Sequence, residues 1–371
     1  MHILLTAGSF YPAENGGPSN ALYWHSKALS EKKQEVTIIT TMIGIKKEHN
    51  IQPNTWMNKS FGKIIYYTNG LKAFMATIEN IKKNNIIHIS SLFYYPSFLT
   101  ALYCYIIKEK LIWSPRGECS VEALAFAKWK KNLILKIIKP YIKNVIFHAT
   151  SSKETLEIKA LFGNVQVVEF PNFFYLEKQL NLPVKNQLIY VGRIHPIKAI
   201  ENLIQAVALS ATMDERSFKL KIAGTYKDHN EELYYNSLVK LVTTLGIGHL
   251  VEFVGHVTGE DKTILYSTSY CLILPSHTEN FGNVVVEALN QGTPVIAAKN
   301  TPWRILEENK IGLHVSNIPE ELASAIDTIL SLEQDGYNDM RDNAYSFCEK
   351  YYAIDQNIEK WIGVYNQCVN Q

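Results

Sequence analysis

Residues 270–298 read YCLILPSHTENFGNVVVEALNQGTPVIAA, and their pattern sets the fold class. YCLILP (270–275) is a short apolar run closed by a proline, which reads as a buried strand. Phe281-Gly282-Asn283 then opens VVVEAL, a helical stretch. PVIAA (294–298) is apolar again and reads as a second strand. Strand, helix and strand in that order predict a βαβ unit with parallel strands.

The same alternation extends in both directions. QLIYVG (187–192), FKLKIAG (218–224), VEFVG (251–255) and GLHV (312–315) read as strands of the same half. Three of them end in Gly192, Gly224 and Gly255, where a bare backbone lets a ligand approach the sheet's carboxyl edge. In the first half HILLT (2–6), EVTIIT (35–40), KIIYY (63–67), NIIHIS (85–90), LIW (111–113) and VIFHAT (145–150) repeat the pattern. Amphipathic stretches such as 19–33 and 97–110 lie between them. Ser151-x-x-Glu154 and Thr258-x-x-Asp261 are helix-start signals. Pro and Asn cluster over 167–187 and mark a junction. The expected fold is α/β, two doubly wound, Rossmann-like domains facing across a cleft. They cover 1–170 and 171–352, and an amphipathic final helix follows in 353–371. Segment 41–62 is too long and polar for an ordinary connection and reads as a functional lid or a disordered loop.

A chain of 371 residues is too long for one ordinary core, which agrees with two domains. Five cysteines without a CxxC pair argue against a disulfide framework or a zinc site. The start MHILLTAGSFYP has no basic segment before its apolar run, and no stretch approaches the length of a membrane span. The expectation is a soluble cytoplasmic protein. Residues 1–180 hold 22 Lys/Arg against 12 Glu and no Asp, a balance of +10, while the remainder holds 15 against 23, a balance of −8. A basic half joined to an acidic half points to an anionic partner for the first half alone. The plainer explanation is a lysine-rich surface.

The chemistry concentrates on rim loops. Glu279 follows a buried strand, and Glu287 lies eight positions on, inside the helix. The free N–H groups at the helix start favour an anion such as a diphosphate. Asn283 and Glu287 share one helix face at i, i+4, which would set a ribose beside the second carboxylate. Arg193 and Lys198, five positions apart after another strand, are cations suited to a leaving diphosphate. Gly16-Gly17, in the loop after the first strand, can bare backbone N–H groups to a phosphate or sugar, although no GxGxxG is present. For each motif the plain alternative is a capped helix, a solvated lysine or a salt-bridged arginine.

GRIHPIKAIENLIQA, TENFGNVVVEALNQGTPVIA and NGGPSNALYWHSKAL together resemble the family 4 glycosyltransferases, retaining enzymes of the GT-B fold, over most of the chain. SPRGE (114–118) and NTPW (300–303) resemble the branch that builds bacterial lipopolysaccharide, capsule and other surface polysaccharides. The resemblance implies transfer of a sugar from a nucleotide-diphosphate sugar to a saccharide or polyprenyl-linked acceptor. It implies acceptor binding by the first domain, donor binding by the second, and a final helix returning to the first. By the same resemblance Arg193 and Lys198 hold the donor diphosphate, Glu279 touches the transferred sugar and Glu287 binds the ribose. Asn280, Phe281, Gly282, Asn283 and Val284 surround the donor, and the Gly16-Gly17 loop closes over it. His88 and Arg116 are candidate acceptor or sugar contacts, the alternatives being a structural hydrogen-bonding histidine and a structural arginine tying loop to helix. No DxD occurs, so no metal is expected, the two cations take its place, and no cofactor or nucleic acid is called for.

Two departures stand out. Ala199 replaces the glycine usual after the lysine, and His88-Ile89-Ser90 replaces HxH. AKWKKNLILKIIKPYIKNV (127–145) mixes lysines with apolar residues at helical spacing, which suggests either that the first domain rests on the inner face of an anionic membrane or that the helix has a core face with solvated lysines. The alternatives to a transferase are a nucleotide-sugar epimerase or phosphorylase of the same architecture, or a catalytically silent partner subunit.

Overall fold

The computed structural model describes residues 1–13, 17–125 and 128–369, which divide into two compact units. The first runs Met1–Tyr175 and includes the tail from Ala353, and the second is Leu176–Tyr352.

The first unit is built on β1 (His2–Thr6), β2 (Glu35–Thr41), β3 (Met57–Lys59), β4 (Gly62–Tyr67), β5 (Ile86–Ser90), β6 (Leu111–Ser114), β7 (Val145–Ala149) and β8 (Gln166–Glu169). Their order across the sheet is β3-β4-β2-β1-β5-β6-β7-β8, parallel throughout except for β3 against β4. Helices cover both faces, so the inner strands are apolar on both sides. Ile3 and Leu5 of β1 join a core with Trp361 and Tyr365 of the final helix, Ile354–Val369, whereas Leu4 between them enters the opposite core.

Two strands escape the sequence pattern. β8 is a half-exposed edge strand inside the stretch read as a junction. β3 is three residues of Met-Asn-Lys that turn back onto β4, pairing Lys59 with Gly62. The 41–62 segment also contains a 3-10 turn at Lys47–His49, so it is an ordered excursion ending in a hairpin. Edge strands need bury only part of one face, and the apolar alternation that reveals a central strand is weak in them.

The second unit carries β9 (Gln187–Val191), β10 (Lys219–Ala223), β11 (Val251–Gly255), β12 (Cys271–Leu274), β13 (Val295–Ala298) and β14 (Gly312–Val315). Its order is β11-β10-β9-β12-β13-β14, with every pairing parallel. Leu188, Tyr190, Leu220, Ile222 and Ile273 pack in one core with Leu203 and Ile204 of the helix Ile200–Leu209.

Gly224 has a local explanation. A Cβ there would lie 1.8 Å from the Gly192 carbonyl oxygen of the neighbouring strand end, so the bare backbone serves strand packing. Gly224→Ala therefore forces the ends of β9 and β10 apart. The expected cost is about 1–3 kcal/mol, read as a lower urea midpoint.

Candidate donor site

The second sheet reverses its winding between β9 and β12. Loops leaving two such neighbours run in opposite directions and leave a crevice at the carboxyl edge, the usual ligand site of an open α/β sheet. The loop after β9 tightens into a 3-10 turn, Pro196–Lys198, capped by His195 Nδ1, which accepts from the Ile197 amide at 3.0 Å. Ala199 follows with φ +49°, left-handed and fully buried, where a glycine would be unstrained. The His277 amide donates to the Ile197 carbonyl at 2.9 Å and joins this loop to the one after β12.

That join brings Lys198 Nζ onto Oε1 of Glu279, and Ser276 Oγ donates to the same oxygen at 3.0 Å. Arg193 leaves the same strand end but turns to a different carboxylate. Its Nε lies 3.3 Å from Oε1 of buried Glu231, whose other oxygen accepts from the Lys227 amide at 2.8 Å. Arg193 keeps 42% of its side chain exposed.

The helix Asn283–Asn290 begins after Gly282, which has φ +84°. A Cβ on Gly282 would meet Trp303 Nε1 at 3.2 Å, the nitrogen that donates to the Phe281 carbonyl at 2.5 Å. The buried Phe281 ring rests on Trp303 at 5.3 Å, so this turn is pinned by packing. Asn283 and Val284 form the partly exposed first turn, and buried Asn280 Oδ1 accepts no hydrogen bond. Glu287 holds Lys262 Nζ at 2.6 Å and the Tyr266 hydroxyl at 2.8 Å, both on Oε2. Burial, reinforced by the Glu287 charge, pushes the Tyr266 hydroxyl well above the usual phenol range, which keeps it a donor. Each key glutamate thus has one oxygen anchored. Among the described residues Oε2 of Glu279 and Oε1 of Glu287 accept no bond and are open to hydroxyls.

Four side chains here were not singled out from the sequence: Glu231, Lys262, Tyr266 and Ser276. Lys262 and Tyr266 lie at i, i+4 on the helix Gly259–Ser267, a spacing that signals one shared face. Glu231 stands three residues after the capping Asp228, as in a capping box, but its carboxylate is spent on Arg193 and Lys227. Thr258, by contrast, makes no side-chain cap.

The profile described as "Glycosyl transferases group 1" matches residues 174–347, the stretch that holds this whole arrangement. Over those residues the chain is similar to group 1 glycosyl transferases. An uncharacterised glycosyltransferase of Methanocaldococcus jannaschii is 28% identical over 222 residues, 56% of this chain and 54% of that protein. The chain spans about half or less of the length of the curated relatives it matches. Sucrose-phosphate synthase from Thermosynechococcus elongatus superposes with a TM-score of 0.78 at 20% identity, covering 99% of this chain and 98% of the other. Anabaena HepE in complex with UDP-glucose superposes at 0.71 with 18% identity, covering 98% and 100%. The fold is therefore the two-domain α/β architecture with parallel sheets of GT-B glycosyltransferases.

Outside the matched residues the candidates fare differently. Gly16 lies outside the described residues, and Gly17 opens the helix Gly17–Glu31. His88 is 1% exposed and both its nitrogens are engaged, so its ring serves the interior and has none left for a sugar. It belongs to a buried chain in which His25 Nε2 meets the Tyr365 hydroxyl at 2.6 Å and Tyr365 meets His88 Nδ1 at 2.8 Å. His88 Nε2 meets Ser114 Oγ at 2.7 Å, Ser114 meets His148 Nδ1 at 2.7 Å, and His148 Nε2 ends on the Phe170 carbonyl at 3.0 Å. A carbonyl only accepts, so His148 carries its proton on Nε2. Every neutral ring before it must then donate in the same direction. Arg116 donates from Nη1 to Asn172 Oδ1 at 2.9 Å.

Burial is the first cause that keeps all three imidazoles below their ordinary range, and the Arg116 charge adds to it. The His25 value falls to about 3. Rings with depressed values give stability that is complete above the unfolded pKa and lost as pH falls toward the folded one. The loss begins near pH 6.5 and runs at about 1.4 kcal/mol per pH unit for each ring. Urea melts followed by tryptophan fluorescence are expected to show a lower midpoint at pH 5 than at pH 7. His148→Gln is expected to flatten that slope.

Proposed function

We propose that the chain is a retaining glycosyltransferase that moves a sugar from a nucleotide-diphosphate sugar to a saccharide acceptor, lipid-linked through a polyprenyl carrier, in bacterial surface-polysaccharide synthesis. The observation that carries this reading is the pairing of Lys198 with Glu279 at the switch point of the second sheet. Arg193 leaves the same strand end and pairs with Glu231, and Glu287 lies along the adjoining helix. In this reading Arg193, Lys198 and the amides at the start of the Asn283–Asn290 helix hold the diphosphate, supplying the charge that a metal would otherwise provide. The open oxygen of Glu287 accepts ribose hydroxyls, and that of Glu279 accepts a hydroxyl of the transferred sugar. The bond from the anomeric carbon to the phosphate oxygen breaks while the acceptor oxygen arrives on the same face. The acceptor's proton passes to the departing phosphate. Lys198 and Arg193 stabilise the charge that grows on that phosphate. The match to group 1 glycosyl transferases and the UDP-glucose complex of a structural neighbour support a nucleotide-sugar donor. SPRGE and NTPW support the surface-polysaccharide assignment.

A thermal-shift screen of UDP-, GDP- and ADP-sugars should identify the nucleobase. With that donor, Lys198→Ala and Glu279→Gln are each expected to lower transfer by about 10²–10³, with the melting profile retained. Glu287→Ala is expected to weaken donor binding about 10- to 100-fold. Full transfer by the Lys198 and Glu279 variants would refute the assignment. Release of an epimerised sugar without an acceptor would mark an epimerase instead.

The helix Lys128–Ile138 supports membrane contact through the first unit. Trp129, Leu133 and Ile137 recur every fourth residue and are 70%, 54% and 44% exposed, with Lys128, Lys130 and Lys136 among them. Apolar side chains framed by lysines suit an anionic lipid surface, where each basic residue adds about 1 kcal/mol. The protein should sediment with phosphatidylglycerol vesicles and not with phosphatidylcholine. Trp129→Ser with Leu133→Ser should cut that binding about tenfold. Equal sedimentation with both lipids would remove the membrane from this account.

A further inference from the structure

Among the described residues the guanidinium of Arg116 is a partly buried cation with no carboxylate at salt-bridge distance. β6 ends at Ser114, Pro115 follows, and Arg116 (φ +59°) and Gly117 (φ +83°) then turn through left-handed conformations. The turn holds its shape without help from the arginine head group. Glu154 accepts from the Gly117 amide at 2.6 Å and from the Thr150 amide and hydroxyl at 2.7 Å each. Glu118 accepts from the Ser91 hydroxyl at 2.7 Å, from the Phe93 amide at 3.2 Å and from the Leu92 amide. Both nearby carboxylates are thus spent on backbone and hydroxyl donors. Among the described residues no carboxylate lies within 4 Å of the Arg116 guanidinium. Among the described residues its one hydrogen bond runs to Asn172, which leaves four of its five N–H donors unused there.

Burial works against the cation, and the Glu154 charge, from beyond salt-bridge distance, offsets that only in part. His25, His88 and His148 are neutral, and each feels the arginine as a nearby positive charge. Ser90 adds a second unmet group. It pairs in register with Ser114 at the carboxyl end of β5, is 8% exposed, and among the described residues its hydroxyl has no partner. By the strand period Ser90, Ser114 and His88 share one face of the sheet, at the edge that receives ligands in an open α/β fold. A shielded guanidinium with free donors is costly to keep unless an anion completes it, and its fork matches a carboxylate or phosphate.

We propose that Arg116, with the Ser90 hydroxyl, binds the anionic group, phosphate or carboxylate, of a charged sugar acceptor. This deepens the transferase reading and depends on it only for the word acceptor. The test titrates the intact chain with glucose 6-phosphate, glucuronate, glucose and inorganic phosphate, and separately with UDP, by calorimetry. Wild type should bind glucose 6-phosphate or glucuronate and not glucose, and inorganic phosphate at least tenfold more weakly than the charged sugar. Arg116→Gln should weaken the charged sugar at least tenfold and leave UDP affinity unchanged. Arg116→Lys, which keeps the charge without the fork, should fall between the two. Near-UV circular dichroism on both variants separates loss of the site from loss of the fold. Equal binding of charged and neutral sugars, unchanged affinity in Arg116→Gln, or phosphate binding as tightly as the charged sugar would each overturn the proposal. Absence of UDP binding to wild type would count against the transferase reading and leave the Arg116 result standing.

Discussion

In a parallel sheet every strand delivers its carboxyl end to the same edge, and where the winding reverses two neighbours send their loops apart. β9 and β12 are that pair in the second unit, and Lys198 and Glu279 ride on their two loops. The contact between them depends on details that hold each loop still. The His195 cap and the left-handed Ala199 shape one loop, while the Phe281–Trp303 contact and the left-handed Gly282 shape the other.

The second unit's site is neutral within itself. Lys198 meets Glu279, Arg193 meets Glu231 and Lys262 meets Glu287, so each cation that could grip a diphosphate already has a partner. Such pairing limits the desolvation cost of assembling like charges on one rim. It also leaves one oxygen of Glu279 and one of Glu287 directed to other uses. Arg116 in the first unit is the opposite case, a cation whose neighbours have been given to the backbone.

The polar chain from His25 to Phe170 shows what a buried network demands. One carbonyl acceptor at its end sets the tautomer of three rings, and each ring must stay neutral for the direction to hold. The chain ties the final helix, through Tyr365, to the sheet edge where β5, β6 and β7 end. Packing around Trp361, which lies 4.7 Å from the His148 ring, closes it from water.

The apolar runs of the central strands were legible from the sequence because a strand covered on both faces has little choice of residue. The edge strands β3 and β8 were not, since half-exposed positions accept polar residues. Arg193, Lys198, Glu279 and Glu287 were legible as rim groups, each following a strand or lying on the adjoining helix. What sequence could not supply was their partners. Glu231, Lys262, Tyr266 and Ser276 are ordinary surface types until folding brings them within bonding distance. His88 looked available at its strand end, and only the approach of Tyr365, 277 residues later, showed its nitrogens to be taken. The order of apolar and polar residues along the chain thus determined the elements and the edge at which ligands gather. Which charges are paired and which are left open was decided by tertiary contacts, because Coulombic and hydrogen-bond partners are chosen by distance in space and leave no periodic mark on the chain.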